Sequence, residues 1–395
     1  LVWYRRGIAQ GGARERPPRA WMHAFTTLFV GAILVDAAVG LGLFVHTVTA
    51  GRVRSDQAQT VIDAGRLWRR GTNPYGSQTV TDEQGYLFAM RELDARSACR
   101  ASNAPVAFRV GVANPSVVPR IDDTRECSDV RRLFASLGFK YGPLILIFYA
   151  PFVALFGPAG FVVAHVLLIA ALVLVVRRWL REYGGMEPVI TGGLVMVVAS
   201  THLARNTLVQ EHLDLLPLLL ALMGWHASMR DRHAMAGVWV GLSVAAKALP
   251  GALYLPLLIG RTRWRGLAAF AAVSAAWIAP FAASDWIGLR FNLGYPFARP
   301  ADSTAAIFFL SARAGAALRA AAVCVIVVFA VRGFRARWTV SPAVEYLVAS
   351  HLAVLAAGTT LHNNYLVWLL PLVAYYVVIE WDRTAVARTV STASL

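Results

Sequence analysis

The chain has 395 residues, 57% of them hydrophobic and only 15% charged, with a formal net charge of +16 and mean hydropathy +0.54. That composition excludes an ordinary soluble domain. The basic residues are spread over six loops, which reads as membrane topology reinforced by attraction to anionic lipid and makes a nucleic-acid patch a poor second reading.

In chain order, the N-terminus carries Arg5, Arg6, Arg14, Arg16 and Arg19 ahead of a first apolar run at 21–48. Further apolar runs fall at 161–176, 189–203, 213–229, 267–283, 314–331, 346–357 and 366–379. These reach or approach the ~20 residues that cross a bilayer as helix. The expected fold is all-α, a polytopic transmembrane helical bundle with a large extracytoplasmic first loop carrying amphipathic surface helices. Residues 1–20 read as a cytoplasmic basic leader, and 21–395 as one transmembrane domain with the loop 50–143 inside it. The first run is full length and follows a basic leader, so it reads as a span and not as a cleavable signal.

Short loops rich in Arg stay cytoplasmic. Arg177, Arg178 and Arg181 mark one such loop; Arg230 with Arg232, Arg261 with Arg263 and Arg265, Arg332 with Arg335 and Arg337, and Arg383 with Arg388 mark the others. Residues 50–143, 204–212, 284–304 and 358–365 are then outside. Two stretches strain this ladder. Residues 142–176 are too long for one span, and Phe156-Gly157-Pro158 breaks them, which predicts a partial segment followed by a full span. Residues 237–260 have basic clusters at both ends on one side, which predicts a hairpin whose apex carries Lys247. Non-helical backbone at such depth needs protein or a water-filled cavity around it, so Lys247 should line a cavity.

The large loop begins with apolar residues at 58, 61, 62, 64, 67 and 68, a spacing that predicts an amphipathic helix on the membrane surface, stopped by Arg69-Arg70-Gly71. Asp56 stands at its start. A carboxylate at the rim of a membrane cavity suits general-base work on a hydroxyl; an N-cap or first-turn acid favoured by the helix dipole explains it equally well. Cys99 and Cys127 share this loop, where an oxidising compartment permits a bridge worth roughly 3–4 kcal/mol, two free thiols being the alternative. Cys324, in an apolar run, reads as a small packing residue.

Of the 38 basic side chains only Lys140 and Lys247 are lysine. In so arginine-rich a chain, a surviving lysine points to a site that wants a compact ammonium. Lys140 opens Lys-Tyr-Gly-Pro before an apolar run, and Lys247 sits within one; chance survival at a membrane edge is the bland alternative. Two more polar clusters fall on the outer side. Arg205, Gln210, Glu211, His212 and Asp214 precede one apolar run; if helical, Glu211 and Asp214 share a face and Arg205 balances them. His362, Asn363, Asn364 and Tyr365 precede Trp-Leu-Leu-Pro.

Taken in order, these motifs resemble the GT-C superfamily of integral-membrane glycosyltransferases, and within it the polyprenyl-phosphomannose-dependent mannosyltransferases of glycosyltransferase family 87. The motifs are an acid after the first span, Gly-Thr-Asn-Pro-Tyr, Lys-Tyr-Gly-Pro-Leu, Gln-Glu-His-Leu-Asp, Ala-Ala-Lys-Ala-Leu-Pro and His-Asn-Asn-Tyr. The resemblance implies inverting transfer of a sugar, mannose first and arabinofuranose as competitor, from a polyprenyl-phosphate donor to a glycolipid or glycan hydroxyl. The location implied is the extracytoplasmic, periplasmic side of a multi-pass inner (plasma) membrane protein.

By the same resemblance Asp56 is the catalytic base. Lys247, Lys140, Arg205, His362, Tyr365 and Arg299 are candidates for the donor phosphate. Gln210, Glu211, His212, Asp214, Asn363 and Asn364 would contact sugar or acceptor, or hold the cationic groups. No metal and no cofactor is expected beyond the lipid-linked donor, although some members of the superfamily bind a divalent cation. Partners are membrane lipids and the substrates, with no nucleic acid. Family members commonly have Pro-Pro where this chain has Gly142-Pro143. The rival of another class is a polyprenyl-lipid transporter or flippase; the first half is not repeated in the second, and the polar clusters gather on one side, which favours the enzyme.

Overall fold

The computed structural model describes residues 38, 41–51, 53, 55–76, 101–102, 120–121, 127, 139, 141–183, 211–261, 263–284, 286, 289–290, 305–358, 365, 367–373 and 375–376. Apart from a two-residue antiparallel pair, β1 (Ala101–Ser102) with β2 (Arg120–Ile121), the regular structure among them is helical. Among the described residues, four stretches are long and apolar enough to cross a membrane: Pro143–Val176, Trp264–Ser284, Ala312–Arg335 and Val340–Ala357. The fold is an all-α polytopic membrane bundle.

Helix α1 (Leu41–Ala50) is the described end of the first apolar run. Helix α2 (Asp56–Arg69) follows from local signals at both ends. Ser55 caps it, its hydroxyl accepting from Ala58 N–H at 3.0 Å. Gly71, at φ +75, closes the other end. Thr72 N–H reaches Leu67 O at 3.0 Å and Gly71 N–H reaches Trp68 O at 2.9 Å, the Schellman arrangement that left-handed glycine permits. The structure corrects one expectation here. The apolar stripe Ala58, Val61, Ile62 and Ala64 is buried in the protein core, with Gly65 against Leu146, instead of resting on lipid. Trp68, 41% exposed, is the member of the stripe left outside.

Helices α3 (Pro143–Phe156) and α4 (Gly160–Tyr183) flank the Gly157-Pro158-Ala159 turn. By composition 143–176 is one run of 34 residues. Yet Tyr149 stacks on Phe161 with ring centroids 4.9 Å apart, and its hydroxyl lies 3.2 Å from His165 Nε2. In one continuous helix Tyr149 and His165 would stand about 24 Å apart along the axis. The chain therefore doubles back at Gly157, as the sequence break predicts. Helix α3, about 21 Å long, is a partial segment, and α4, about 36 Å, is a full one.

Helices α5 (Leu215–Met229) and α6 (His233–Ala246) form a second hairpin. Gly224 packs on Val240, and Ser243 Oγ donates to Pro217 O at 2.7 Å. Helix α7 (Arg263–Ser284) runs parallel to α6, because Gly237 abuts the Gly266 carbonyl and Gly241 the Phe270 carbonyl. Small residues permit this close approach in a bilayer. The segment Ala248–Gly260 must then retrace the length of α6, which puts Lys247 at the apex of a hairpin as expected.

Helices α8 (Ala312–Arg335) and α9 (Val340–Ala357) are joined by a turn tied by Arg332–Glu345 at 2.9 Å, and the Trp338 ring covers Gly333 and Gly260. Trp179 and Trp225, with centroids 4.1 Å apart, pin the ends of α4 and α5 together. Thus the arginine-bearing end of α4, the Arg230–Arg232 turn, the start of α7 and the end of α8 share one end of the bundle. Cys324 is exposed on α8, not packed inside as the sequence reading expects; Cys127 is buried and disulfide-bonded. Cys99 lies outside the described residues.

Candidate active site

At the end opposite the arginines, the motifs that are scattered along the chain meet. Asn73 folds its own turn by accepting Tyr75 N–H at 3.1 Å and donates to Ser284 at the end of α7. Tyr75 is fully buried and its hydroxyl donates to the Tyr141 carbonyl. Burial pushes the Tyr75 phenol well above its ordinary pKa, so it remains a donor. Gly142 N–H then donates to Ala246 O at 2.9 Å, joining the start of α3 to the end of α6 beside Lys247.

Gly142 has a reason to be glycine: a Cβ there would lie 2.0 Å from Ala245 O and 2.6 Å from its carbonyl carbon. Proline would also forfeit the N–H that Ala246 accepts. Gly142→Ala is expected to cost roughly 1–3 kcal/mol through overpacking. It should lower the thermal midpoint of the detergent-solubilised protein; an unchanged midpoint would refute the close approach.

Lys247 itself is extended backbone (φ −157, ψ 128) between two helices. Its ammonium lies 2.6 Å from Asp214 Oδ1, with side chains 18% and 0% exposed. Trp368 Nε1 donates to the same oxygen at 3.2 Å. The ammonium stands 5.1 Å from the Tyr365 ring centroid and 5.6 Å from that of Trp368, within cation–π range. A fully buried carboxylate requires such partners, since desolvation otherwise makes its charge prohibitively costly.

The loop 211–214 is not helical, so the condition under which Glu211 and Asp214 would share a helix face is not met. Glu211 sits at φ +53, and Asp214 is the cap residue of α5. Their carboxylates consequently part company. Asp214 takes Lys247, and Glu211 Oε2 accepts Ser55 N–H at 3.1 Å. Between them, His212 Nδ1 lies 2.8 Å from Gln57 Nε2, and His212 O lies 2.8 Å from His165 Nε2. Both acids are fully buried, which favours the role of holding other groups over direct contact with sugar.

Asp56 is the first residue of α2, so the helix dipole alone accounts for an acid there. Its claim to chemistry rests on its neighbours: Ser55 and Gln57, on either side of it, are both held by the loop that carries Asp214. Lys140, Arg205, Gln210, Arg299, His362, Asn363 and Asn364 lie outside the described residues. Among the described residues, no group of three or more His, Cys, Asp or Glu side chains is placed to hold a metal ion.

Four contributors escaped sequence reasoning. Ser55 and Gln57 looked like ordinary first-turn residues, and Trp368 like one apolar residue among many. His165 did carry a signal, since an ionisable residue inside a span is a site candidate by default. The Gly237/Gly241 pair likewise announced a close helix contact by its i, i+4 spacing.

A membrane bundle with broken helices, and a polar site at the end opposite its basic turns, is the framework of an integral-membrane enzyme. The model of glycosyltransferase family 87 matches residues 139–356, more than half of the chain, which therefore belongs to that family. The protein is a membrane glycosyltransferase. No curated protein and no solved structure matches it. The match takes in Glu211, His212, Asp214 and Lys247; Tyr365 and Trp368 fall outside it but contact Lys247 or Asp214, and Asp56 falls outside it between Ser55 and Gln57, which contact Glu211 and His212.

Proposed function

We propose that the protein transfers a sugar, mannose in the first instance, from a polyprenyl-phosphate donor to the hydroxyl of a lipid- or glycan-borne acceptor, with inversion. Asp56 removes the acceptor proton, the oxygen attacks the anomeric carbon, and the bond to the phosphate oxygen breaks. Lys247 faces the charge that develops on the departing polyprenyl phosphate, a task for a preorganised cation in a water-poor site. Tyr365 borders the same position, and Lys140, Arg205, Arg299 and His362 are proposed to contribute to it. Gln210, Asn363 and Asn364 are proposed to meet sugar or acceptor, and His212 to do so or to hold its neighbours.

The observation that carries this reading is the loop 211–214. It grips the residues flanking Asp56 at one end and the Lys247 ammonium at the other. A base and a phosphate cation held by one loop suit a single-displacement transfer without a covalent sugar–enzyme intermediate.

The arginine-bearing end is proposed to be cytoplasmic by the positive-inside rule, which puts the site on the extracytoplasmic side of the inner (plasma) membrane. The disulfide at Cys127 is in keeping with an oxidising compartment there. The leader 1–20 is then cytoplasmic, and 21–395 one transmembrane domain.

The test is sugar transfer in membranes from radiolabelled polyprenyl-phosphate mannose and, in parallel, polyprenyl-phosphate arabinofuranose. Label should pass from the mannose donor to a lipid or glycan fraction. Transfer from the arabinose donor alone would reassign the sugar, and transfer from neither would overturn the donor class.

A further inference from the structure

The start of α2 has half of a capping box. Ser55, in extended conformation (φ −103, ψ 149), accepts Ala58 N–H with its hydroxyl. The other half normally comes from a Glu or Gln at the position of Ala58, whose side chain reaches back to the cap residue's own N–H. Ala58 is fully buried and has no such side chain. Glu211, 156 residues away, supplies the carboxylate instead, its Oε2 standing 3.1 Å from Ser55 N. The next residue, His212, engages Gln57 at 2.8 Å. The two residues that flank Asp56 are thus each held by the two residues that open the 211–214 loop. A non-glycine backbone at φ +53 marks Glu211 as fixed by its surroundings.

We propose that Glu211 is a positioning residue for Asp56: it completes the cap of α2 from across the fold and so sets the register of the base against Lys247. This rests on the reading of Asp56 as general base. Loss of the contact frees the first turn of α2, and displacement of a reacting group by an ångström costs turnover far more than binding.

Glu211→Ala in full-length protein in nanodiscs is expected to lower kcat by about 10²-fold, with the donor KM within about twofold. Glu211→Gln, whose amide oxygen still accepts Ser55 N–H, should rescue most of that loss. Amide hydrogen exchange over 55–59 should rise in Glu211→Ala and return in Glu211→Gln, with α5 and α6 unchanged. In an Asp56→Asn background, Glu211→Ala should lower activity no further. Gln57→Met, which removes the neighbouring grip without touching the buried acid, should show the same pattern in milder form and carries the test if Glu211→Ala does not fold.

Full turnover in Glu211→Ala, an equally inactive Glu211→Gln, or a rise in donor KM at constant kcat would each overturn the proposal, the last two in favour of a charge acting directly on substrate. Full activity in Asp56→Asn would remove the base reading. The exchange measurement would then still decide whether Glu211 holds the turn.

Discussion

Asp56→Asn is expected to lower turnover by about 10²–10⁴-fold, the range that a positioned general base contributes. The substitution suits the purpose because Asp56 is the first residue of α2, whose N-cap is Ser55. Helix formation should therefore survive, and protein levels can be matched. The loss should appear in kcat, with donor affinity little changed, because an acceptor base does not touch the donor phosphate. Transfer at the wild-type rate in membranes with matched protein would end the assignment and leave Asp56 as a first-turn acid.

Lys247→Met is expected to affect both activity and stability. It leaves Asp214, fully buried, without its ammonium, a break that typically costs about 3–5 kcal/mol. The single variant cannot separate folding from phosphate binding, but a pair of variants can. Combining Lys247→Met with Asp214→Asn removes both charges and keeps an acceptor for Trp368 Nε1. The thermal midpoint in detergent should then recover while sugar transfer stays absent. If transfer returned with stability, Lys247 would be a structural partner of Asp214 and nothing more. Lys247→Arg should not restore turnover either. The ammonium sits between a carboxylate oxygen at 2.6 Å and two aromatic rings, a place for a compact cation and not for a planar fork. That geometry gives a physical reason for a lysine in a chain whose other basic side chains, Lys140 apart, are arginine.

Much of the architecture was legible from local pattern. The break at Gly157-Pro158 and the apex at Lys247 followed from apolar runs of the wrong length between basic clusters. The C-terminal end of α2 followed from Arg69-Arg70-Gly71, whereas the Ser55 cap emerged only in the structure. The candidate site was legible as a set of motifs but not as a set of contacts. Glu211 and Asp214 would share a face only if their segment were helical, and a left-handed residue instead sends their carboxylates to different partners. The apolar stripe of α2 suited lipid and protein equally, and α3 claimed it.

Composition, hydropathy and the spacing of arginines by themselves determined a polytopic helical membrane protein. These are one-dimensional properties, set by the cost of placing polar groups in hydrocarbon. Only the tertiary structure decided the partners: Asp214 with Lys247 across 33 residues, Trp368 with Asp214 across 154, and Glu211 with Ser55 across 156. Buried charges and N–H groups must find partners somewhere, but which ones they find is settled by packing between distant segments, and no local pattern records that choice.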